Sequence, residues 1–66
     1  MDIIKVLNLK NGSLVKFTLN EKEYILEVWD GLLFIQPTGM LATNLFLLKT
    51  LIDIEYELIK EGESYD

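Results

Sequence analysis

Three carboxylates at alternate positions, Asp53, Glu55 and Glu57, are the side chains of this sequence best spaced to do chemistry. A bound hard cation needs several oxygens converging on one point, and a general acid and base need two groups facing one substrate. Carboxylates at alternate positions of an extended segment instead stand about 7 Å apart in a row and diverge into water. Two readings remain. The row is the solvated face of an edge strand, where charge discourages strand-to-strand aggregation, or it is a contact for a basic partner surface. Its spacing is close to that of successive phosphates on one nucleic-acid strand, which makes phosphate mimicry geometrically feasible.

The rest of the chain narrows the chemistry further. It has no cysteine and no histidine, which removes disulfides, thiolate nucleophiles, zinc sites of the usual kind and the side chain most used for proton transfer near neutral pH. Asn11-Gly12-Ser13 has the form of a glycosylation sequon but, without a secretion signal, reads as a turn. Gly12, Gly31, Gly39 and Gly62 are scattered and form no phosphate loop, and the lysines alternate with acids rather than forming a basic stripe. No catalytic residue, cofactor or metal site is expected, and no direct contact with nucleic acid.

Recognition is the alternative to catalysis, and its candidates are apolar: Trp29, Leu14 and Leu32, with Ile25 and Phe34 nearby. Whether they share a face depends on the strands that carry them. Asp30-Gly31, flanked by Glu27-Val28-Trp29 and Leu32-Leu33-Phe34, predicts a two-residue type I′ turn, because Gly, Asn and Asp accept positive φ at low cost. That turn pairs Trp29 with Leu32, Val28 with Leu33, Glu27 with Phe34 and Leu26 with Ile35. A second hairpin across Glu21-Lys22 pairs Leu19 with Tyr24, Phe17 with Leu26, Lys16 with Glu27 and Val15 with Val28. Both registers place Val15, Phe17, Leu19, Tyr24, Leu26, Val28, Leu33 and Ile35 on one face of a three-stranded meander, the expected core. The opposite face then carries Leu14, Trp29 and Leu32 side by side. A solvent-facing sheet side is ordinarily polar, so this patch marks an interface unless a helix at 44–50 or the N-terminal segment covers it.

Beyond the meander, Gln36-Pro37-Thr38-Gly39 reads as a turn. Leu41, Leu45, Leu48 and Ile52 follow helical spacing, with Thr43 or Asn44 as the cap of a short helix. Asp53 to Leu58 alternates as a final strand, with Ile54, Tyr56 and Leu58 inward. At the start, Ile3, Ile4 and Leu7 suit a helical turn behind Asp2, favoured over a hairpin at Asn11-Gly12. The expected fold is a β-rich (α+β) domain, a small SH3-like barrel of meander, short helix and closing strand. Its alternative is an open antiparallel sheet with a helix on one face.

With 66 residues, the chain makes one domain over residues 1–60, followed by a flexible acidic tail at 61–66. Half of the residues are hydrophobic, more than so small a domain readily buries, so a partner or a second copy is expected to cover part of its surface. The net charge of −5 is concentrated at the end: residues 1–52 balance, whereas Asp53, Glu55, Glu57, Glu61, Glu63 and Asp66 face Lys60 alone. Such an end repels nucleic acid and attracts basic protein surfaces. Apolar runs reach four residues, as at Leu45–Leu48, too short for a membrane span, and the N-terminus has no signal-peptide pattern. A cytoplasmic protein is expected.

Two stretches, Leu9-Lys10-Asn11-Gly12-Ser13-Leu14-Val15-Lys16-Phe17 and Ile52-Asp53-Ile54-Glu55-Tyr56-Glu57-Leu58-Ile59, resemble small proteins encoded by phages and prophages of Gram-positive bacteria. The resemblance spans most of the chain and implies an origin rather than an activity. Small acidic phage proteins often act by occupying a host protein's surface, inhibitors of CRISPR and other defence systems among them. The resemblance raises that reading, and with the composition and charge above the expectation is a non-enzymatic protein, cytoplasmic in the bacterial host, that inhibits or modulates a host protein with a basic surface. Trp29, Leu14, Leu32, Phe34, Ile25, Asp53, Glu55 and Glu57 are the candidate partner-binding residues. The other expectation is a self-associating accessory protein whose patch closes a homodimer.

Overall fold

The computed structural model describes residues 1–63. Strands β1 (Leu14–Leu19), β2 (Lys22–Trp29) and β3 (Leu32–Ile35) run as an antiparallel meander. Strand β4 (Met40–Leu41) extends the β3 edge and β5 (Glu57–Lys60) pairs with the other side of β1, giving the order β4-β3-β2-β1-β5. Three short helices, α1 (Ile3–Leu7), α2 (Ala42–Leu45) and α3 (Leu48–Asp53), supply Val6, Ala42 and Leu51 to the core cluster. No helix among the described residues is long and apolar enough to cross a membrane.

The sheet is open, which replaces the SH3-like barrel with the alternative, an antiparallel sheet covered by helices on one face. The reason lies in the segment between β3 and β5. Two-residue β4 and four-residue β5 end up on opposite edges, and most of the chain between them is helical, so the core is closed by helices rather than by the sheet curling onto itself.

The β2–β3 hairpin has the register expected from Asp30-Gly31, with Trp29 facing Leu32 and Leu26 facing Ile35. Both turn residues hold positive φ, 52° and 73°. The β1–β2 register differs: Leu19 faces Lys22, Phe17 faces Tyr24 and Val15 faces Leu26. The turn is centred on Asn20-Glu21, with φ of 52° and 65°, not on Glu21-Lys22, because asparagine accepts the left-handed region far more readily than lysine. Moving the turn by one residue shifts the pairing by two, and an even shift preserves which side chains face inward. Val15, Phe17, Leu26, Val28, Leu33 and Ile35 are therefore buried as expected, with Leu19 and Tyr24 packed partly buried against them. The Lys16–Glu27 pairing is lost, and Lys16 faces Ile25 instead.

At the N-terminus the helical turn forms, with the Lys5 amide donating to the Asp2 carboxylate at 2.9 Å. The expected helix at 44–50 is two helices, and Thr43 and Asn44 lie inside α2 rather than capping it. Leu41 and Leu47 occupy the cap positions without side-chain hydrogen bonds. Helix α3 continues through Asp53, and the last strand begins only at Glu57. The closing strand expected at 53–58 is thus corrected to 57–60, which keeps only its last two residues, and Leu58, expected inward, is 40% exposed. The tail expected at 61–66 is held at its start: Gly62 is buried, and its N–H donates to Ser13 Oγ at 2.7 Å. A Cβ at that position would run into the Asn11 carbonyl. Residues 64–66 lie outside the described residues.

Aromatic rings complete the core at the end away from Trp29. Phe17 stacks on Tyr24 at 5.3 Å and meets Phe46 and Tyr56 edge-on. The Tyr56 hydroxyl donates to the Leu51 carbonyl at 2.7 Å, and burial pushes its phenol from 10.0 up to about 12. A phenol that ionises less readily when folded contributes stability that is complete below pH 10.0 and lost as pH rises toward about 12; the loss is roughly 2 to 3 kcal/mol. Urea midpoints measured across this range are expected to fall in the wild type and to fall less in Tyr56→Phe; equal slopes would refute a buried neutral phenol.

Glu21 offers a second check, since a non-glycine residue in the left-handed region costs about 1 kcal/mol. Glu21→Gly, which creates the favoured Asn-Gly turn, is expected to raise the melting temperature by roughly 4 to 8 °C. A lowered melting temperature would argue against the Asn20-Glu21 turn.

Candidate partner interface

The alternation that sends Val15, Phe17, Leu26 and Val28 inward puts Leu14, Lys16, Ile25, Glu27 and Trp29 on the other face, joined by Leu32 and Phe34 across the second hairpin. Each helix adds a residue to the inner core cluster, and the cover of the other face is partial: Gly12 of the N-terminal segment lies against Trp29, and Leu32 borders a cleft also lined by α1, α2 and α3. Trp29 is 43% exposed, Leu32 50% and Ile25 37%, while Leu14 and Phe34 are half-buried. The five apolar candidates are thus brought together. The two-residue register shift seats Leu14 opposite Glu27 rather than Trp29, which leaves it diagonal to both Ile25 and Trp29 and still within reach of their side chains.

Trp29 is held by a feature read in the sequence only as a turn. Gly12 N–H donates to the Val28 carbonyl at 2.8 Å, and the Val28 N–H donates to the Ser13 carbonyl at 2.9 Å. Two residues thus oppose one, a β-bulge with glycine at its first position, and Gly12 takes φ of 90°. A Cβ on Gly12 would touch the Trp29 ring at 3.8 Å, so the indole lies against the bulge. Beside it, buried Asn11 clamps the neighbouring turn: its Oδ1 accepts from the Asp30 N–H at 2.7 Å and its Nδ2 donates to the Asp30 carboxylate at 3.2 Å. The signal available in the sequence was asparagine and serine flanking a glycine next to a strand.

Charges border the apolar set and interrupt it, since Glu27 lies between Leu14 and Phe34 across the strands. The Lys16 ammonium sits 3.6 Å from both Glu23 and Glu57, and the Glu27 carboxylate accepts from Gln36 at 3.0 Å. Of the three spaced carboxylates, only Glu57 belongs to this face, through its pairing with Lys16. Asp53 closes α3, and Glu55 lies in the connection before β5, where it pairs with the N-terminal ammonium at 2.9 Å. The acidic ladder expected of a single strand is therefore divided over three places. It gathers no oxygens for a cation.

Two clefts flank the sheet. One, of about 190 Å³, is lined by apolar side chains of α1, α3 and the β3–β4 region; the other, of about 370 Å³, lies beside Tyr24, Pro37 and Met40. Neither brings two carboxylates together. The fold and surface define an α+β domain with one face of its sheet packed and the other bare. No protein-family model, curated relative or solved structure matches the chain.

Asn11→Ala is expected to destabilise the domain by about 1 to 3 kcal/mol, since it leaves the Asp30 amide without its partner beside the turn. A denaturant titration reads this directly, and an unchanged midpoint would remove Asn11 from the account of how Trp29 is presented.

Proposed function

We propose that this chain is a non-enzymatic binding domain that docks another protein on the bare face of its sheet. The observation that carries the reading is Trp29, 43% exposed beside Leu32 and Ile25 on the face of the sheet turned away from the core cluster. Tryptophan anchors are enriched at interface centres, where a large apolar ring enters a pocket of the partner. Around it, Glu23, Asp30 and Glu57 are exposed at the rim, with Lys16 held between Glu23 and Glu57. A surface with an apolar pocket and a basic margin complements this arrangement. Asp53 and Glu55 fall away from it and are not assigned to the contact.

The resemblance carried by residues 9–17 and 52–59 supports a protein of a bacterial host as the partner, inhibited or redirected in the cytoplasm by occupation of its surface. Defence proteins, CRISPR effectors among them, are the class that the resemblance favours.

About 100 Å² of Trp29 remains open, which at 25 cal/mol per Å² contributes roughly 2.5 kcal/mol on burial, or about 60-fold in affinity. Capture from a bacterial lysate, followed by titration of the purified captured protein, is expected to show that loss for Trp29→Ala and a smaller one for Leu32→Ser, with both variants folded by circular dichroism. Glu57→Lys is expected to slow association in low salt. Binding that is indifferent to Trp29 and Leu32 would overturn the reading.

A further inference from the structure

The helical side carries a second apolar surface. Leu47, at the cap of α3, is 76% exposed; Ile4 on α1 is 65%, Leu48 63% and Ile52 51%. Leu48 and Ile52 are one turn apart on α3, and α1 packs against that helix. Together these four side chains present on the order of 450 Å² of apolar surface, at the level of the largest patches found on monomers. Trp29, Leu32 and Ile25 expose less, on the order of 300 Å².

We propose that the helical side is a homodimer interface in which Leu47 of each copy enters the apolar cleft of the other. Three observations favour a second copy as the occupant. A specific dimer buries about 800 Å² per partner, of which about 60% is apolar, and 450 Å² with a polar rim matches that amount. The cleft of about 190 Å³, whose lining includes Ile3, Leu7, Leu32, Leu33, Leu48 and Leu51, lies next to the protruding Leu47, which directly precedes Leu48 in the chain. A knob beside a hole is self-complementary under two-fold symmetry, and an apolar cavity of about 150 Å³ takes a benzene-sized guest, enough for a leucine side chain. The rim is balanced, with Lys5 and Lys49 against Asp2 and Asp53, all exposed. Two copies of this face therefore meet without the repulsion that the overall charge of −5 imposes elsewhere.

Sedimentation velocity on the full chain, from low micromolar to about 0.5 mM, tests this. The wild type is expected to show a monomer–dimer equilibrium whose dissociation constant rises at least about tenfold in Leu47→Glu and in Ile4→Glu. Trp29→Ala, which lies outside that cleft, is expected to leave it unchanged, which separates this interface from the one proposed for a partner protein. A monomer throughout the range, a dimer insensitive to Leu47→Glu, or one lost on Trp29→Ala would each overturn the proposal.

Discussion

In a two-residue hairpin turn both central residues hold positive φ, and that steric demand decides which strand residues face one another. Here it acts twice, at Asn20-Glu21 and at Asp30-Gly31. Each turn sets the parity of the strands beside it, and parity sends Val15, Phe17, Leu26 and Val28 to one side and Leu14, Ile25 and Trp29 to the other. Everything that the helices cover, and everything left for a partner, follows from that division. The Asn11 clamp and the Gly12 bulge reinforce it at the Trp29 end, where the chain before β1 is tied to the second turn.

Because parity repeats every two residues, the face of each side chain is a more robust property than its exact neighbour. This explains which parts of the structure were legible in the sequence. The inward set was readable even though the first hairpin is displaced by two positions, since the displacement is even. The neighbours of Lys16 and Leu14 were not readable, because they depend on choosing between two adjacent turn centres. Asn20 settles that choice by tolerating the left-handed region. The capped helical turn at Ile3–Leu7 was legible from Asp2, whereas α2 and α3 have leucine at their cap positions and carry no local start signal.

The acidic segment shows the limit of periodicity more sharply. Strict alternation from Asp53 to Leu58 fits a strand, and Tyr56 is indeed buried while Glu55 and Glu57 are exposed. Yet α3 takes Asp53, and the chain crosses from helix to sheet before β5 begins. An extended connection obeys the same two-residue alternation as a strand, so the pattern alone does not distinguish them. What separates them is an available neighbouring edge, and β1 offers one from Glu57 onward.

A domain this small buries a limited share of its own surface, and half of its residues are hydrophobic. The inner side of the sheet and the helices above it use part of that supply in a core of Val6, Val15, Phe17, Leu26, Val28, Leu33, Ile35, Ala42, Leu51 and Tyr56. Part of the remainder forms two surfaces, one on the outer side of the sheet and one on the outside of the helices, while Met40, Leu45, Leu58 and Ile59 are exposed elsewhere. Trp29 and Ile25 take no part in the cleft that Leu47 enters, whereas Leu32 borders it, so the two surfaces approach one another at the β2–β3 turn. A layer that packs on one side only therefore has a structural consequence: such a fold can pair with itself through its helices while still presenting Trp29 to a different protein.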